Sequence, residues 1–213
     1  HAKAVWGKVN PVNTASPYVN AGATEAAAAL ALMSSDYKWK MLFSGSTVSN
    51  NMSWQINGRL EMDLLYNDYV ANGDAQPNDL VTGTADSRIT ALAAEFRDIS
   101  GGTDYAPITV VSAREMHLII AEGKMAGGDA AGCLAELNKI RALDELAAYT
   151  AEDAGAALQA ERRANLFVQG RRLTDMYRFG VTSAVWDNVE KSPAGTFFPI
   201  TIREIRANPN LSQ

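Results

Sequence analysis

Two capped helical segments between residues 112 and 141 constrain the fold more than any other part of this chain. Ser112 with Glu115 three residues later has the spacing of a capping box, which predicts a helix that begins here and ends at Gly127-Gly128. Asp129 is then in position to cap a second helix. Because the turn between them is so short, the two helices must lie antiparallel to each other.

The second helix has one apolar face, which must be covered by a neighbour. Its apolar stripe consists of Ala130, Cys133, Leu134, Leu137 and Ile140. Antiparallel helices of this length and pattern are typical of tetratricopeptide-like hairpins, which stack on one another. The place of Cys133 within the stripe indicates a small buried side chain rather than a reactive thiol.

The other segments are also mainly helical. The further predicted helices, with approximate bounds, are 1–9, 24–34, 36–42, part of 52–69, 150–169, 171–179 and 202–207. Thr150 is the predicted cap of the helix over 150–169, and Gly170 interrupts it. Strand signals are few and short, with one extended stretch at Ile108 to Val111. The expected fold is mostly α, with tetratricopeptide-like hairpins, irregular loops and at most a small β-hairpin.

Composition excludes several classes of protein. The net charge of -5 and the pI near 5.1 leave no basic stripe for nucleic acid, so we expect no nucleic-acid partner. A single cysteine rules out an internal disulfide and a multi-cysteine metal site. No apolar run in the sequence approaches the roughly 20 residues that a membrane-spanning helix needs.

A dense charged block runs from Glu161 to Gly180. Its arginines are Arg162, Arg163, Arg171, Arg172 and Arg178, and they lie among apolar residues. Asp175 follows Arg171 by four positions and precedes Arg178 by three, so either pair could meet on one helix face. A catalytic or anion-binding cluster is one interpretation. We favour an ion-pair lattice of Glu161, Arg162, Arg172, Asp175 and Arg178, because an unpaired buried charge costs several kcal/mol.

The charged block resembles the SusD/RagB family. The positions that match the family pattern in register are Glu161, Arg162, Arg163, Leu166, Gly170, Arg172, Asp175, Arg178 and Gly180. Asn165 and Gln169 stand where the family prefers glutamates, so part of the usual ion-pair network is expected to be weaker.

Other segments carry the same resemblance. They are 114–123, Leu137 to Arg141, 198–201 and, more loosely, Asp86 to Arg88. The clear resemblance covers about 108 to 213. It implies a single SusD-like domain over 1–213 that is the C-terminal part of a longer protein. Residues 1–107 would form helices and an irregular ligand-side region, and 108–213 the hairpin and the C-terminal signature.

The resemblance implies a non-catalytic binding protein. It would capture glycans or other oligomeric nutrients on the outer face of the outer membrane and deliver them to a TonB-dependent transporter. A lipid anchor would be attached at an N-terminal segment absent from this chain. The family's ligands bind to variable irregular regions, so the resemblance assigns no ligand-binding residue.

The candidate ligand-binding residues come from chemistry instead. Aromatic faces stack on the C–H groups of a sugar ring, while nearby amides and carboxylates accept its hydroxyl hydrogens. Trp39, Trp54 and Tyr66 lie in the irregular part of the sequence, near Asn50 and Asn51. Core packing is the alternative for each of these aromatic residues.

The sequence contains no recognisable active site. It has no nucleophile elbow, phosphate loop or dinucleotide pattern. Around His117 the helical i+4 position is Ala121, so a helical metal pair is not formed, and we expect no metal or other cofactor. A glycoside hydrolase would need two carboxylates facing across a cleft, and the sequence alone does not pair them.

The first residues leave an alternative open. Ala2, Val5 and Trp6 share a helical stripe that begins without a capping residue. Either a missing N-terminal segment or another subunit is expected to cover them. The alternative function is therefore a structural scaffold whose helical repeats assemble through exposed faces.

Overall fold

The computed structural model describes residues 17–53, 78–97 and 105–181. The main helices there are α1 (Ala23–Leu30), α2 (Ser87–Arg97), α3 (Ala113–Ala126), α4 (Ala130–Leu143), α5 (Ala154–Asn165) and α6 (Arg172–Phe179). The strands are β1 (Lys38–Met41) and β2 (Ile108–Ser112). The prediction of a mostly α fold is confirmed. The predicted helices at 1–9 and 202–207, and most of 52–69, lie outside the described residues.

The α3–α4 hairpin forms as its capping signals predict. The Ser112 hydroxyl accepts a hydrogen bond from the Glu115 N–H, and the Asp129 carboxylate accepts one from the Gly132 N–H. Gly127 caps the end of α3, and Gly128 follows in the left-handed region with φ 77°. Each cap supplies a partner to a backbone group that a helix end would otherwise leave without one.

The core lies where α3, α4 and α5 meet. Its fully buried apolar side chains come from all three helices: Leu118, Ala121, Cys133, Leu137, Ile140, Ala157 and Leu158. Burying side chains of this size contributes about 1.5 to 3 kcal/mol for each large one. The predicted apolar stripe of the second helix therefore faces the core through Cys133, Leu137 and Ile140. Leu134 is only partly buried, and Ala130, at the start of the helix, is exposed.

Helix α1 packs closely against α3, and Gly123 permits this approach. A methyl group at Gly123 would lie 2.8 Å from the Ala23 Cβ and 2.9 Å from the Asn20 Oδ1. These separations are shorter than van der Waals contact, so a larger residue at 123 would push α1 away from α3.

The two strands correct one prediction. Residues 36–42 were predicted to be a short helix, yet Lys38–Met41 pairs antiparallel with β2. Trp39 lies opposite Val111, and the register shifts between Trp39 and Lys40. The strands come from distant parts of the chain, so the sheet is not a hairpin. The extended stretch at Ile108 to Val111 is confirmed, and the long-range pairing that it offers overrides the local preference of residues 38–41.

One predicted helix cap is also wrong. Asp153, not Thr150, caps α5 by accepting from the Ala156 N–H, and α5 ends at Asn165. Asp is at least as favourable as Thr at an N-cap. Asp153 lies directly before Ala154, the first residue of α5, so it caps this helix in place of Thr150. Gly22, with φ 96°, precedes α1, which begins at Ala23, one residue before the predicted start at 24.

Candidate functional site

Trp39 is the candidate ligand-binding residue that the structure describes. It lies on β1, and its side chain is 53% exposed. The expected alternative, core packing, does not apply to this residue. Trp54 and Tyr66 lie outside the described residues, so their role in ligand binding stays a prediction.

Trp39 belongs to a segment of the chain, around and after β1, that exposes several large apolar residues. We define this exposed apolar surface as Tyr37, Trp39, Met41, Leu42 and Val48, all of which are exposed to solvent. Large exposed apolar residues in one short segment make it a candidate for binding a ligand or partner.

The strand that carries Trp39 is held at both ends. The Arg114 side chain, on α3, donates to both oxygens of Asp36 at 2.7 and 3.1 Å. Lys40 forms an ion pair with Glu95 of α2, with 3.4 Å between Nζ and Oε1. The Tyr37 carbonyl accepts from the Ala113 N–H at the start of α3. The indole is therefore presented on a fixed strand rather than on a free loop.

Asn50 does not serve as a ligand-facing amide in this structure. Its Nδ2 donates to the Ala106 carbonyl at 2.6 Å, and its Oδ1 accepts from the N–H groups of Met52 and Ser53. The residue is 2% exposed. Its role is to tie two segments of the chain together.

Glu161 is at the centre of a buried ion-pair network. It accepts from Arg88 Nη1 at 2.6 Å and from Arg141 Nη1 at 3.0 Å. The Tyr149 hydroxyl and the Asn165 amide also donate to it, each at 2.9 Å. Burial raises the pKa of Tyr149 and the Glu161 carboxylate raises it further, so the hydroxyl stays a donor.

Asp79 belongs to the same ion-pair network, which it joins through Arg141. Its Oδ2 accepts from Arg141 Nη1 at 2.6 Å, and its Oδ1 accepts from the N–H groups of Val81 and Thr82. Burial by itself would raise the pKa of Asp79. The Arg141 guanidinium and the two backbone donors outweigh burial and lower this pKa to about 2.

A second buried network joins α3, α5 and α6. Arg162 donates to both oxygens of Asp175, and Arg178 donates to Asp175 and to both oxygens of Glu122. Every one of these side chains is nearly or fully buried. Charges in such a setting are tolerated only when they are paired, and these pairs join the three helices.

The remaining arginines of the charged block point elsewhere. One of the two predicted helix-face pairs was Arg171 with Asp175. Arg171 instead pairs with Glu115 on α3 at 3.0 Å. The other predicted pair, Asp175 with Arg178, forms at 3.0 Å. Arg172 begins α6 with an exposed side chain. A structural role for the lattice as a whole stays our proposal.

Asn165 connects two groups of charges. Its Nδ2 donates to Glu161, and its Oδ1 accepts from Arg114 Nη1 at 3.2 Å. An amide can donate and accept at once, whereas a glutamate at this position would repel Glu161 unless it were protonated. The departure from the family pattern therefore suits the arrangement seen here.

The remaining titratable candidates lie away from the exposed apolar surface. His117 Nδ1 lies 2.6 Å from Glu136 Oε1, which links α3 to α4. Burial raises the pKa of Cys133 to about 12, and Asp129 and Glu122 add to the effect, so this thiol is unreactive at neutral pH. Across the part of the chain that the structure describes, no group of His, Cys, Asp and Glu could hold a metal ion.

The sequence model of the SusD family matches residues 36–192 of this chain. That match covers well over half of the sequence. The chain belongs to the SusD family. Members of this family are generally non-catalytic binding proteins, and the family suggests binding of nutrients or glycans at the outer membrane. Comparison with curated proteins and with solved structures gave no match.

The charges of this SusD-family chain extend beyond the block found in the sequence. Sequence reasoning assigned no role to Asp79, Glu122 or Arg141, although the structure buries all three in the networks. Arg88 and Arg141 belong to segments that resemble the family, so the signal was present. The sequence did not show which charged residues pair with each other, because Arg88 and Glu161 are separated by 73 positions.

Proposed function

We propose that this SusD-family chain captures glycans, or other oligomeric nutrients, at the outer-membrane surface for delivery to a TonB-dependent transporter. The observation that carries the proposal is the exposed indole of Trp39 on an anchored strand. A flat aromatic face held in place stacks on the apolar C–H face of a sugar at little entropic cost.

Binding without catalysis fits the charges of the described residues. A glycoside hydrolase needs a carboxylic acid with a raised pKa facing a second carboxylate. The buried carboxylates Glu122, Glu161 and Asp175 are each held by arginines, and the pKa of Asp79 is lowered. Their partners suit them to holding helices together.

We further propose that the protein is a lipoprotein anchored at an N-terminal segment. Cys133 is fully buried in the core, so it is unsuited to carry a lipid. Among the described residues, every helix is too short or too polar to cross a bilayer.

Glycan binding by Trp39 variants tests the proposal. We expect Trp39→Ala to weaken binding to a responsive oligosaccharide by about fivefold or more, because a stacked aromatic ring contributes about 1 kcal/mol. Trp39→Phe should retain most of the affinity. Isothermal titration calorimetry measures each dissociation constant.

Leu32→Ala is the matched control. Leu32 is 91% exposed and lies outside the exposed apolar surface, so the control should leave affinity unchanged. Unchanged binding by Trp39→Ala would remove Trp39 from the site. Failure of the wild-type chain to bind any glycan or peptide in a broad panel would contradict nutrient capture.

The scaffold alternative rested on Ala2, Val5 and Trp6. Those residues, and what covers them, lie outside the described residues, so no structural observation favours it. Light scattering distinguishes the two functions: a monomer with glycan affinity supports capture, and large assemblies without affinity support a scaffold.

A further inference from the structure

The strand β1 has two chemically different faces. Successive side chains of a strand point to opposite faces, so Lys38 and Lys40 share one face and Trp39 lies on the other. Lys38 lies 3.2 Å from the Asp36 carboxylate, and Lys40 lies 3.4 Å from Glu95 of α2. The positive charges of β1 are therefore paired, and they lie on the side of the strand away from the indole.

The other face carries an uncharged row of exposed side chains. We define this stacking row as Tyr37, Trp39 and Met41, which are all exposed. Tyr37 precedes β1, yet its carbonyl accepts a hydrogen bond from the Ala113 N–H at 2.9 Å. This bond continues the antiparallel register of β1 and β2 by one residue. Tyr37 is therefore held as a strand residue would be, with its ring on the same face as the Trp39 indole.

Both rings of the stacking row are available to a ligand. Within the described ranges, neither Tyr37 nor Trp39 stacks on another aromatic ring or on a cation. The Tyr37 hydroxyl and the Trp39 indole N–H have no hydrogen-bond partner among these residues either. An aromatic ring with a free face and a polar edge can stack on the apolar face of a sugar and also bond to one of its hydroxyls.

The spacing of the two rings suits a ligand with a repeating unit. Two residues of a strand advance about 6.6 Å, which is similar to the length of one sugar unit in an extended glycan. A glycan that lies along β1 would therefore place successive sugars on Tyr37 and Trp39. A glycan that coils would curve away from this straight row after the first ring.

Charge favours an uncharged ligand. The stacking row contains no charged side chain, and the two lysines of β1 already have acidic partners. The chain as a whole carries a net charge of -5, which repels a ligand with carboxylates or sulfates. The row therefore complements a neutral glycan better than an acidic one.

We propose that Tyr37 and Trp39 are two consecutive stacking positions, so that the chain selects neutral, extended glycans of two or more sugars that lie along β1. The inference rests on glycan capture as the function. It adds Tyr37 to the site and gives the class of glycan that the site takes. A peptide that joined the sheet would use the backbone edge of β1 and would not need the two rings.

Four tetrasaccharides test the class of glycan. Cellotetraose and β-1,4-mannotetraose are neutral and extended. Maltotetraose is neutral but coils, and the β-1,4-mannuronate tetrasaccharide is extended but acidic. We expect calorimetry to give about fivefold or tighter binding of at least one neutral, extended tetrasaccharide relative to the other two kinds, because only that kind places two sugars on the two rings without opposing charge.

Chain length and Tyr37 variants test the second stacking position. Affinity should rise about fivefold from the methyl glycoside to the disaccharide of the sugar that binds, because the disaccharide reaches the second ring. Tyr37→Ala should remove this increase and leave binding of the methyl glycoside nearly unchanged. Tyr37→Phe keeps the ring and should keep the increase. A strand that was merely loosened by the substitution would weaken binding of the methyl glycoside as well.

Lys38→Met is the matched control for the Tyr37 variants. Lys38 lies between the two rings along the chain but on the charged face, and its ion pair with Asp36 is exposed. Exposed pairs contribute little to stability, so this variant should keep both the affinity and the dependence on chain length.

The outcomes separate this inference from the proposed function. Equal or tighter binding of maltotetraose or of the mannuronate overturns the neutral, extended class, while glycan capture stands. An unchanged increase in Tyr37→Ala, or an equal loss in Lys38→Met, overturns the second stacking position. Tighter binding of acetyl-tetraalanine amide than of every tetrasaccharide, lost in Tyr37→Ala, would assign the row to peptides. If no glycan of a broad panel binds, both proposals fail.

Discussion

Arg162 and Asp175 lie on successive helices, and the guanidinium donates through Nε and Nη2 to both carboxylate oxygens at 2.9 and 2.8 Å. Arg162 is 2% exposed, so little water reaches the pair. The two hydrogen bonds fix both the distance and the rotation of α6 relative to α5. We therefore expect this pair to hold α6 in position against α5.

Asp175→Asn should destabilise the protein strongly. The substitution leaves Arg162 and Arg178 buried with their shared negative partner removed, which typically costs about 3 to 5 kcal/mol. Urea unfolding followed by circular dichroism measures the free energy of unfolding.

The matched control removes a surface ion pair. Lys124 and Asp129 lie 3.4 Å apart with both side chains about half exposed, so Lys124→Met should leave the free energy of unfolding nearly unchanged. Similar small effects from both substitutions would contradict a stabilising role for the buried network.

Asp79 should make stability depend on pH in acid. Its pKa is about 2 in the folded chain and 3.8 in the reference state, so its contribution is present above about pH 4 and is lost as the pH falls towards 2. We expect a loss of about 1 to 2 kcal/mol over that range, after allowance for solvent screening.

Asp79→Asn should flatten this part of the pH profile. The variant should be less stable than the wild type at pH 7, and the difference should shrink as the pH approaches 2. Thermal melts between pH 2 and 7 measure both profiles. A constant difference over the whole range would show that Asp79 does not carry the effect.

The ends of α3 and α4 offer a paired test of backbone strain. Both helices are followed by a left-handed residue, which is Gly128 after α3 but Glu145, with φ 54°, after α4. Glu145→Gly should stabilise the chain by about 0.5 to 1 kcal/mol, and Gly128→Ala should destabilise it by a similar amount. A stabilising Gly128→Ala would contradict the backbone geometry at that turn.

The close crossing of α1 and α3 should be sensitive to one methyl group. Gly123→Ala places a Cβ 2.8 Å from the Ala23 Cβ, and the forced shift should outweigh the better helix propensity of alanine, with a net loss of about 1 kcal/mol. Gly127→Ala is the control, because a Cβ at Gly127 would lie 3.5 Å from the Lys124 carbonyl oxygen, which is ordinary van der Waals contact.

A double-mutant cycle identifies the cause. Ala23→Gly removes the methyl that Gly123→Ala would meet, so the two changes together should cost less than the sum of the two alone. Additive losses would show that the helices are not in contact at this point.

The capping signals were sufficient for the hairpin but not for the sheet. Ser112 and Asp129 act on N–H groups three residues away, so the local sequence contains both partners. Residues 38–41 have no such local partner, and their strand exists because β2 pairs with them. The same holds for the candidate site. The sequence showed that Trp39 is an aromatic residue suited to stacking on a sugar, but only the structure showed that it is exposed to solvent.

The sequence by itself determined the helical hairpin, the family and the density of charge between Glu161 and Gly180. Only the tertiary structure decided which charged residues pair. Arg171 pairs with Glu115, and Glu161 accepts hydrogen bonds from Arg88 and Arg141. The physical reason is how far apart the interacting residues lie along the chain. A cap or a helix-face pair is complete within four residues, whereas a buried ion pair forms only where packing brings distant segments together and excludes water.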